Sequence, residues 1–238
     1  MDVDVFIPCF VDQLEPEIGK NLVKILEHVG CKVHYNPQQT CCGQPQFNSG
    51  YMKESRELAQ KFLKDFAGER YIVSPGGSCT GFIKRRYASL FENENDKKAA
   101  EQLSNRLFDI CDFLVNVLKI EDLGATFNAK VTVHDSCSAL REYGMTTEPR
   151  TLLQHVKGLE IVEMEESTTC CGFGGTFSLK QKEISSAMVE QKVRFAQETG
   201  AEYITGTEYS CLMNIKAYID RNNISLKPIH IVNILSHF

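Results

Sequence analysis

The chain carries one cysteine pattern twice, and this duplication limits the available folds more than any other feature. Cys9, the adjacent pair Cys41-Cys42 followed by Gly43, and Cys79 mark the first half. Cys137, the pair Cys170-Cys171 followed by Gly172, and Cys211 mark the second. The first interval is 32 positions, Cys9 to Cys41, against 33 from Cys137 to Cys170. The second is 37, Cys42 to Cys79, against 40 from Cys171 to Cys211. Tyr71-Ile72-Val73 precedes Ser78-Cys79 as Tyr203-Ile204-Thr205 precedes Ser210-Cys211. Val115-Asn116-Val117-Leu118 closes one half and Val232-Asn233-Ile234-Leu235 the other. Two units are expected, over 1–124 and 125–238. The surplus in the first half is assigned to the polar run Glu92 to Lys98, read as a solvated loop.

Within each unit strands and helices alternate. Val3 to Ile7 forms a short strand ending at Pro8-Cys9. A helix follows, with Pro16 in its first turn, one face of Ile18, Leu22, Ile25, Leu26 and Val29, and Gly30 as its stop. Lys32 to Tyr35 and Tyr71 to Val73 are the next strands, separated by a helix bearing Leu58, Phe62 and Phe66. A longer helix is expected to carry Leu103, Leu107, Ile110, Leu114 and Val117 on one stripe. The second unit restarts at Val131-Thr132-Val133. This alternation predicts an α/β architecture of two pseudo-repeated strand–helix halves with mainly parallel sheets. Ligands of such sheets sit at the carboxyl ends of the strands. Each set of four cysteines follows its three strands, so each is expected to gather at one end of its own half.

Composition narrows the chemistry. With 26 basic and 31 acidic side chains the net charge is −5, no footprint for nucleic acid. No run approaches the roughly 18 apolar residues of a membrane span. The opening MDVDVFIP has acids where an export signal carries bases, so a cytoplasmic location is expected. Ten cysteines in that setting are expected to be reduced thiols, available for metal or redox chemistry.

Four thiolates can hold zinc or an iron–sulfur cluster. Neither half has the Cys-x-x-Cys pair common in zinc sites, and adjacent cysteines converge poorly on a single ion. A cluster accommodates them more easily. Thiol–disulfide chemistry and a zinc-stabilised docking scaffold stay open beside it. Gly43, Gly76 and Gly77, with Gly172, Gly174 and Gly175, lie where backbone N–H groups can approach sulfur charge. No P-loop and no GxGxxG after the first strand speaks for a nucleotide.

The phrases TCCGQP and NSGY (Thr40 to Pro45, Asn48 to Tyr51), VSPGGSC (Val73 to Cys79), HDSC (His134 to Cys137), CCGFGGTFS (Cys170 to Ser178), ETGAEYI (Glu198 to Ile204) and CLMNI (Cys211 to Ile215) carry a resemblance. Together they resemble the duplicated cysteine-rich, or CCG, domain found in heterodisulfide reductase and in the glycolate oxidase iron–sulfur subunit. The lactate utilization A family, built of this duplicated domain alone, is the most similar. The resemblance runs from about Val3 to Leu235. It implies a cytoplasmic component of an iron–sulfur complex, with lactate utilization proteins B and C, that oxidises L-lactate to pyruvate. It also implies that Cys9, Cys41, Cys42, Cys79, Cys137, Cys170, Cys171 and Cys211 hold the cofactor. The heterodisulfide reductase relatives end each motif in Cys-x-x-Cys, whereas here Phe82 and Asn214 stand at that last position. Four ligands per half fit an ordinary 4Fe–4S cluster better than the five-cysteine, non-cubane type.

Cys31 and Cys111 fall outside the repeat, matched near Leu159 and Pro228, and are read as core residues. His134-Asp135 precedes Cys137 where the first half has Ile7-Pro8, and is read as a strand-end histidine satisfied by backbone. Arg141 and Lys84-Arg85-Arg86 are read as solvated rather than as lactate contacts. Lactate oxidation needs a two-electron acceptor, and no flavin or nicotinamide fingerprint is present. Electron relay, rather than primary catalysis, is therefore the expected role.

Overall fold

A computed structural model describes residues 1–238. The first half runs β1 (Asp2–Val5), α1 (Cys9–Leu14), α2 (Pro16–His28), β2 (Lys32–Tyr35), α3 (Gln44–Asn48), α4 (Met52–Asp65), β3 (Tyr71–Ser74), α5 (Gly77–Leu90), α6 (Glu94–Asn105), β4 (Leu107–Asp109) and α7 (Ile110–Asp112), then a π-helical stretch, Phe113–Leu118. The second half runs β5 (Thr126–Val133), a π-helical stretch Ala139–Tyr143, α8 (Glu148–Gln154), β6 (Lys157–Ile161), α9 (Phe177–Lys180), α10 (Lys182–Glu198), β7 (Tyr203–Gly206), α11 (Tyr209–Arg221), β8 (Lys227–His230) and α12 (Ile231–Leu235).

Each half holds one all-parallel sheet of four strands, ordered β2-β1-β3-β4 and β6-β5-β7-β8. The registers repeat: Val3 pairs with Val33 and Tyr71, as Val131 pairs with Ile161 and Tyr203. The α/β reading and the duplicated sheets are thus present in the molecule. Two segments differ from expectation. Leu107–Asp109 is a strand rather than helix, because its backbone pairs with Ile72–Ser74. Its apolar residues satisfy a helical spacing as well as a strand, and only the neighbouring edge decides between them. The polar run after Glu92 is also not all loop. Asn93 accepts the Asp96 amide as an N-cap, and α6 starts at Glu94. This helix has no counterpart between β7 and β8, so the surplus residues of the first half form it.

The halves share a core. Ile18, Leu22, Ile25 and Leu26 on α2 are fully buried and join α12 and strand β5 in one cluster. Each such side chain contributes roughly 1.5–3 kcal/mol by burial. Asn21 donates to Asn233 at 3.0 Å and Lys24 to the Ser236 carbonyl at 2.6 Å, tying α2 to the C-terminal segment. Cys31 and Cys111 lie in this core, as read from sequence. Register gives Leu159 as the counterpart of Cys31. Asp109 and His230 hold the same capping place after their strands, so the counterpart of Cys111 is Val232 rather than a residue near Pro228. No helix is long and apolar enough to cross a membrane.

A second contact brings the carboxyl ends of the two sheets face to face. Helix α5 lies against the π-helical stretch 139–143, and glycine permits the approach. A Cβ at Gly77 would stand 2.7 Å from the Ala139 Cβ, and one at Gly81 3.0 Å from the Tyr143 nitrogen. Gly77→Ala is expected to destabilise the chain by about 1–3 kcal/mol. Gly68→Ala, in open space, should leave the urea midpoint nearly unchanged. Equal midpoints for the two variants would contradict close packing at Gly77.

Candidate metal centre

All eight repeated cysteines reach the same place. Cys9, Cys41, Cys42 and Cys79 line a single cavity of about 140 Å³ together with Cys137, Cys170, Cys171 and Cys211. The sequence places each set at one end of its own half; the structure adds that those ends face each other. Cys9 opens α1, and Cys79 and Cys211 sit in the first turns of α5 and α11. Those helix termini supply free amides and positive dipole ends, which favour thiolate charge. The Cys-Cys pairs lie in the turns before α3 and α9.

Within the first set, the sulfurs of Cys9 and Cys41 are 3.7 Å apart and those of Cys42 and Cys79 3.3 Å. Gly43 and Gly172 adopt φ of 87° and 84°, values that glycine takes without strain. Their amides donate to the sulfurs of Cys41 and Cys170 at 3.5 and 3.4 Å. Ser55 and Ser185 hydroxyls fix the same glycines by donating to their carbonyls. Gly76 and Gly77 serve close packing instead, against Pro8 and Ala139. The carbonyl of Cys42 is held by the Tyr87 hydroxyl at 2.7 Å, and that of Cys171 by the Asn214 amide at 2.9 Å. Asn214, three positions beyond Cys211, therefore has a structural task.

Glu208 carries no mark in the sequence. Its buried carboxylate accepts the Ser78 amide at 2.8 Å from the first half and the Ser210 hydroxyl at 3.0 Å from its own. One side chain thus caps α5 and α11 together, on the cavity wall between the thiol sets. No local signal announces it, since its partner Ser78 lies 130 positions away.

His134 departs from its reading. The ring is buried, and neither nitrogen has a hydrogen-bond partner. Its backbone donates to Thr205 at 2.8 Å, and the Ser167 carbonyl stands beside the ring outside strict hydrogen-bond geometry. Burial, with the Lys192 charge added, pushes its pKa down to about 3, so the imidazole is neutral. Ligand atoms of His134, Cys171 and Cys211 lie within 4.8 Å of one another. The basic residues are occupied elsewhere. Lys84 donates to the Ser104 and Leu107 carbonyls, Arg85 to the Glu142 carbonyl, and Arg86 lies over the Phe47 ring. Arg141 acts on the Cys137 thiol by its charge without lining the cavity.

Thiols this close cannot all ionise in the absence of a cation, because each thiolate raises its neighbour. Contact with Cys41 drives Cys9 up, and Cys41 and Cys79 drive Cys42 up. Cys41 collects the compensating charge: contacts with Cys42 and Cys9, with the Gly43 amide, lower it strongly. Cys170 is raised, because Cys171 and burial outweigh the lowering contact with Cys137. Neighbouring thiols mutually frustrated as free acids, with amides already aimed at sulfur, fit a cationic metal or iron–sulfur group that takes thiolates. A depressed pKa leaves Cys41 ionised well below the ordinary thiol range. In metal-free reduced protein at about pH 6, iodoacetamide should modify Cys41 at least roughly tenfold faster than Cys170, read by peptide mass mapping. Equal rates would remove the asymmetry.

The cysteine-rich domain family CCG matches residues 3–84 and again 131–216, one match per sheet. Lactate utilization protein A 1 of Bacillus mycoides is 48% identical over 99% of this chain and 97% of its own. Lactate utilization protein A of Bacillus subtilis is 42% identical, with 99% of each chain covered. Among solved structures, a putative Asp/Glu racemase from Yersinia pestis aligns with a TM-score of 0.36 at 14% identity, over 100% of this chain and 96% of that one. So slight an overlap carries no argument. The doubled CCG match and the full-length identity together make this chain a member of the lactate utilization protein A family.

Proposed function

We propose that the chain is an iron–sulfur electron-transfer component of a cytoplasmic complex that oxidises L-lactate to pyruvate, working with lactate utilization proteins B and C. The observation that carries this reading is the meeting of two complete thiol sets on one cavity. Family membership supplies the pathway, through the relatives' names. The units 1–124 and 125–238 each contribute one site. Cys9, Cys41, Cys42 and Cys79 hold one group, and Cys137, Cys170, Cys171 and Cys211 the other, each group a 4Fe–4S cluster. Bound there, the groups supply one-electron storage at potentials set by charge, hydrogen bonds and burial. The chain's own residues do the tuning. The Gly43 and Gly172 amides donate to sulfur. Phe10 and Phe173, edge to face at 5.8 Å across the halves, cover the cavity wall with apolar surface. No lysine or arginine lines the cavity, and its one ionisable group besides the thiols and Tyr209 is the Glu208 carboxyl. That wall offers a lactate carboxylate no cationic partner, which supports relay over substrate binding.

A second reading, thiol–disulfide chemistry, is favoured by one observation: the lowered pKa of Cys41 facing Cys9. Both readings meet the same test. Protein purified without oxygen is assayed for iron, acid-labile sulfide and zinc, with its visible spectrum. The expected result is about eight iron and eight sulfide per chain, with broad absorption near roughly 400 nm. Cys42→Ser or Cys171→Ser should each remove about half of the iron. Metal-free protein after anaerobic reconstitution would favour thiol chemistry. Zinc without sulfide would make the chain a docking scaffold.

A further inference from the structure

The two halves agree in backbone and differ behind the thiols. The amides of Phe6 and His134 make the same bond, to the Val73 carbonyl at 3.0 Å and the Thr205 carbonyl at 2.8 Å. Phe6 is therefore the counterpart of His134. Ser55 and Ser185 share one role on α4 and α10, and seven residues beyond them stand Phe62 and Lys192. In the first half Phe6 and Phe62 pack edge to face at 4.9 Å, an apolar floor under the sulfurs. In the second half the same two places hold an imidazole and an ammonium.

Lys192 is satisfied there, donating to the Glu166 and Ser167 carbonyls at 2.6 and 3.1 Å. His134 is not, for both ring nitrogens are buried without a partner. Burying both ring nitrogens without a partner is unfavourable, so an apolar residue would be preferred if the place had only to be filled. The ring also shares a 4.8 Å neighbourhood with the sulfurs of Cys171 and Cys211. The Ser167 carbonyl stands beside the ring without reaching hydrogen-bond geometry. Metal-bound histidines commonly give their second ring N–H to such a carbonyl. Asn214 is committed to the Cys171 carbonyl, so a further donor has to come from another element.

We propose that His134 is a nitrogen ligand of the group held in the second half, while the first-half group is held by thiolates alone. This rests on the iron–sulfur reading above. The second site thus has five candidate donors from this chain for four iron positions, so the imidazole takes the place of one of the four thiolates there and the two groups are chemically distinct. Exchange of a thiolate for neutral imidazole removes negative charge and raises the potential of an iron–sulfur centre.

The test uses the full chain, reconstituted without oxygen, carrying histidine labelled with a heavy nitrogen isotope in the ring only. Pulsed electron paramagnetic resonance of the reduced protein should reveal a coupling of the size of a directly bonded nitrogen. His134→Phe, which installs the first-half residue, should abolish it. His134→Cys should abolish it too while retaining iron, and should move one of the two reductive bleaching waves to lower potential, leaving the other in place. Full iron with no ring-nitrogen coupling in the unsubstituted chain, and both waves unmoved in His134→Cys, would overturn this inference alone. A chain that takes up no iron would overturn the iron–sulfur reading and this one with it.

Discussion

Everything chemical in this molecule depends on the face-to-face contact between the carboxyl ends of its two sheets. A four-stranded parallel sheet gathers its ligand-bearing loops at one end, and a duplicated chain has two such ends. Separated, they would be two shallow thiol patches. Pressed together through Gly77 and Ala139, and pinned by Glu208 across the helix starts of α5 and α11, they enclose one cavity. The contact also explains why the interface tolerates a buried carboxylate. The carboxylate accepts amides at the starts of α5 and α11 that would otherwise have no partner.

Duplication followed by divergence is visible inside that cavity. Register, the Cys-Cys turns, the Ser55 and Ser185 anchors and the two glycine amides are kept in both halves. The layer beneath the sulfurs is not. Aromatic packing of Phe6 with Phe62 and Phe66 gives the first site a dry, weakly polar floor. Neutral His134 and cationic Lys192, the latter held at a pKa of about 8 by burial, give the second a polar one. Two redox groups in unlike surroundings have unlike potentials, and unlike potentials give electron transfer a direction. On the proposed reading, the asymmetry is what makes two sites more useful than one.

The sequence was legible wherever a residue type is bound to its position by local chemistry. The eight cysteines, the strand after each unit start, the α2 face and the core character of Cys31 follow from spacing and periodicity. What escaped depends on partners distant in the chain. Leu107–Asp109 is a strand only because β3 offers an edge, and three residues are too few to establish a period of two. His134 reads as an ordinary strand end until the burial of both ring nitrogens is known. Glu208 is one acidic residue among 31 Asp and Glu until Ser78 is found opposite it. The common cavity itself could not be read, because the repeat defines each sheet's ligand end but not the direction in which it faces.

On the proposed reading, the same geometry bears on why such a chain would work with others. A 2-hydroxy acid brings a carboxylate, and a site for it needs a fixed cation or an array of donors. Three cations on the elements around the thiols are engaged: Lys84 caps the end of α6, Arg85 holds the Glu142 carbonyl, and Lys192 bonds two carbonyls behind the second set. Moving any of them to a substrate would strip backbone carbonyls of their partners. The cavity wall, with eight thiols and a carboxyl group, is suited to holding positive charge. On the proposed reading the cavity holds the electron store, and the substrate anion belongs on a different surface. For a relay component, that separation is an advantage: electrons can cross between proteins while the anion stays with the partner that holds it.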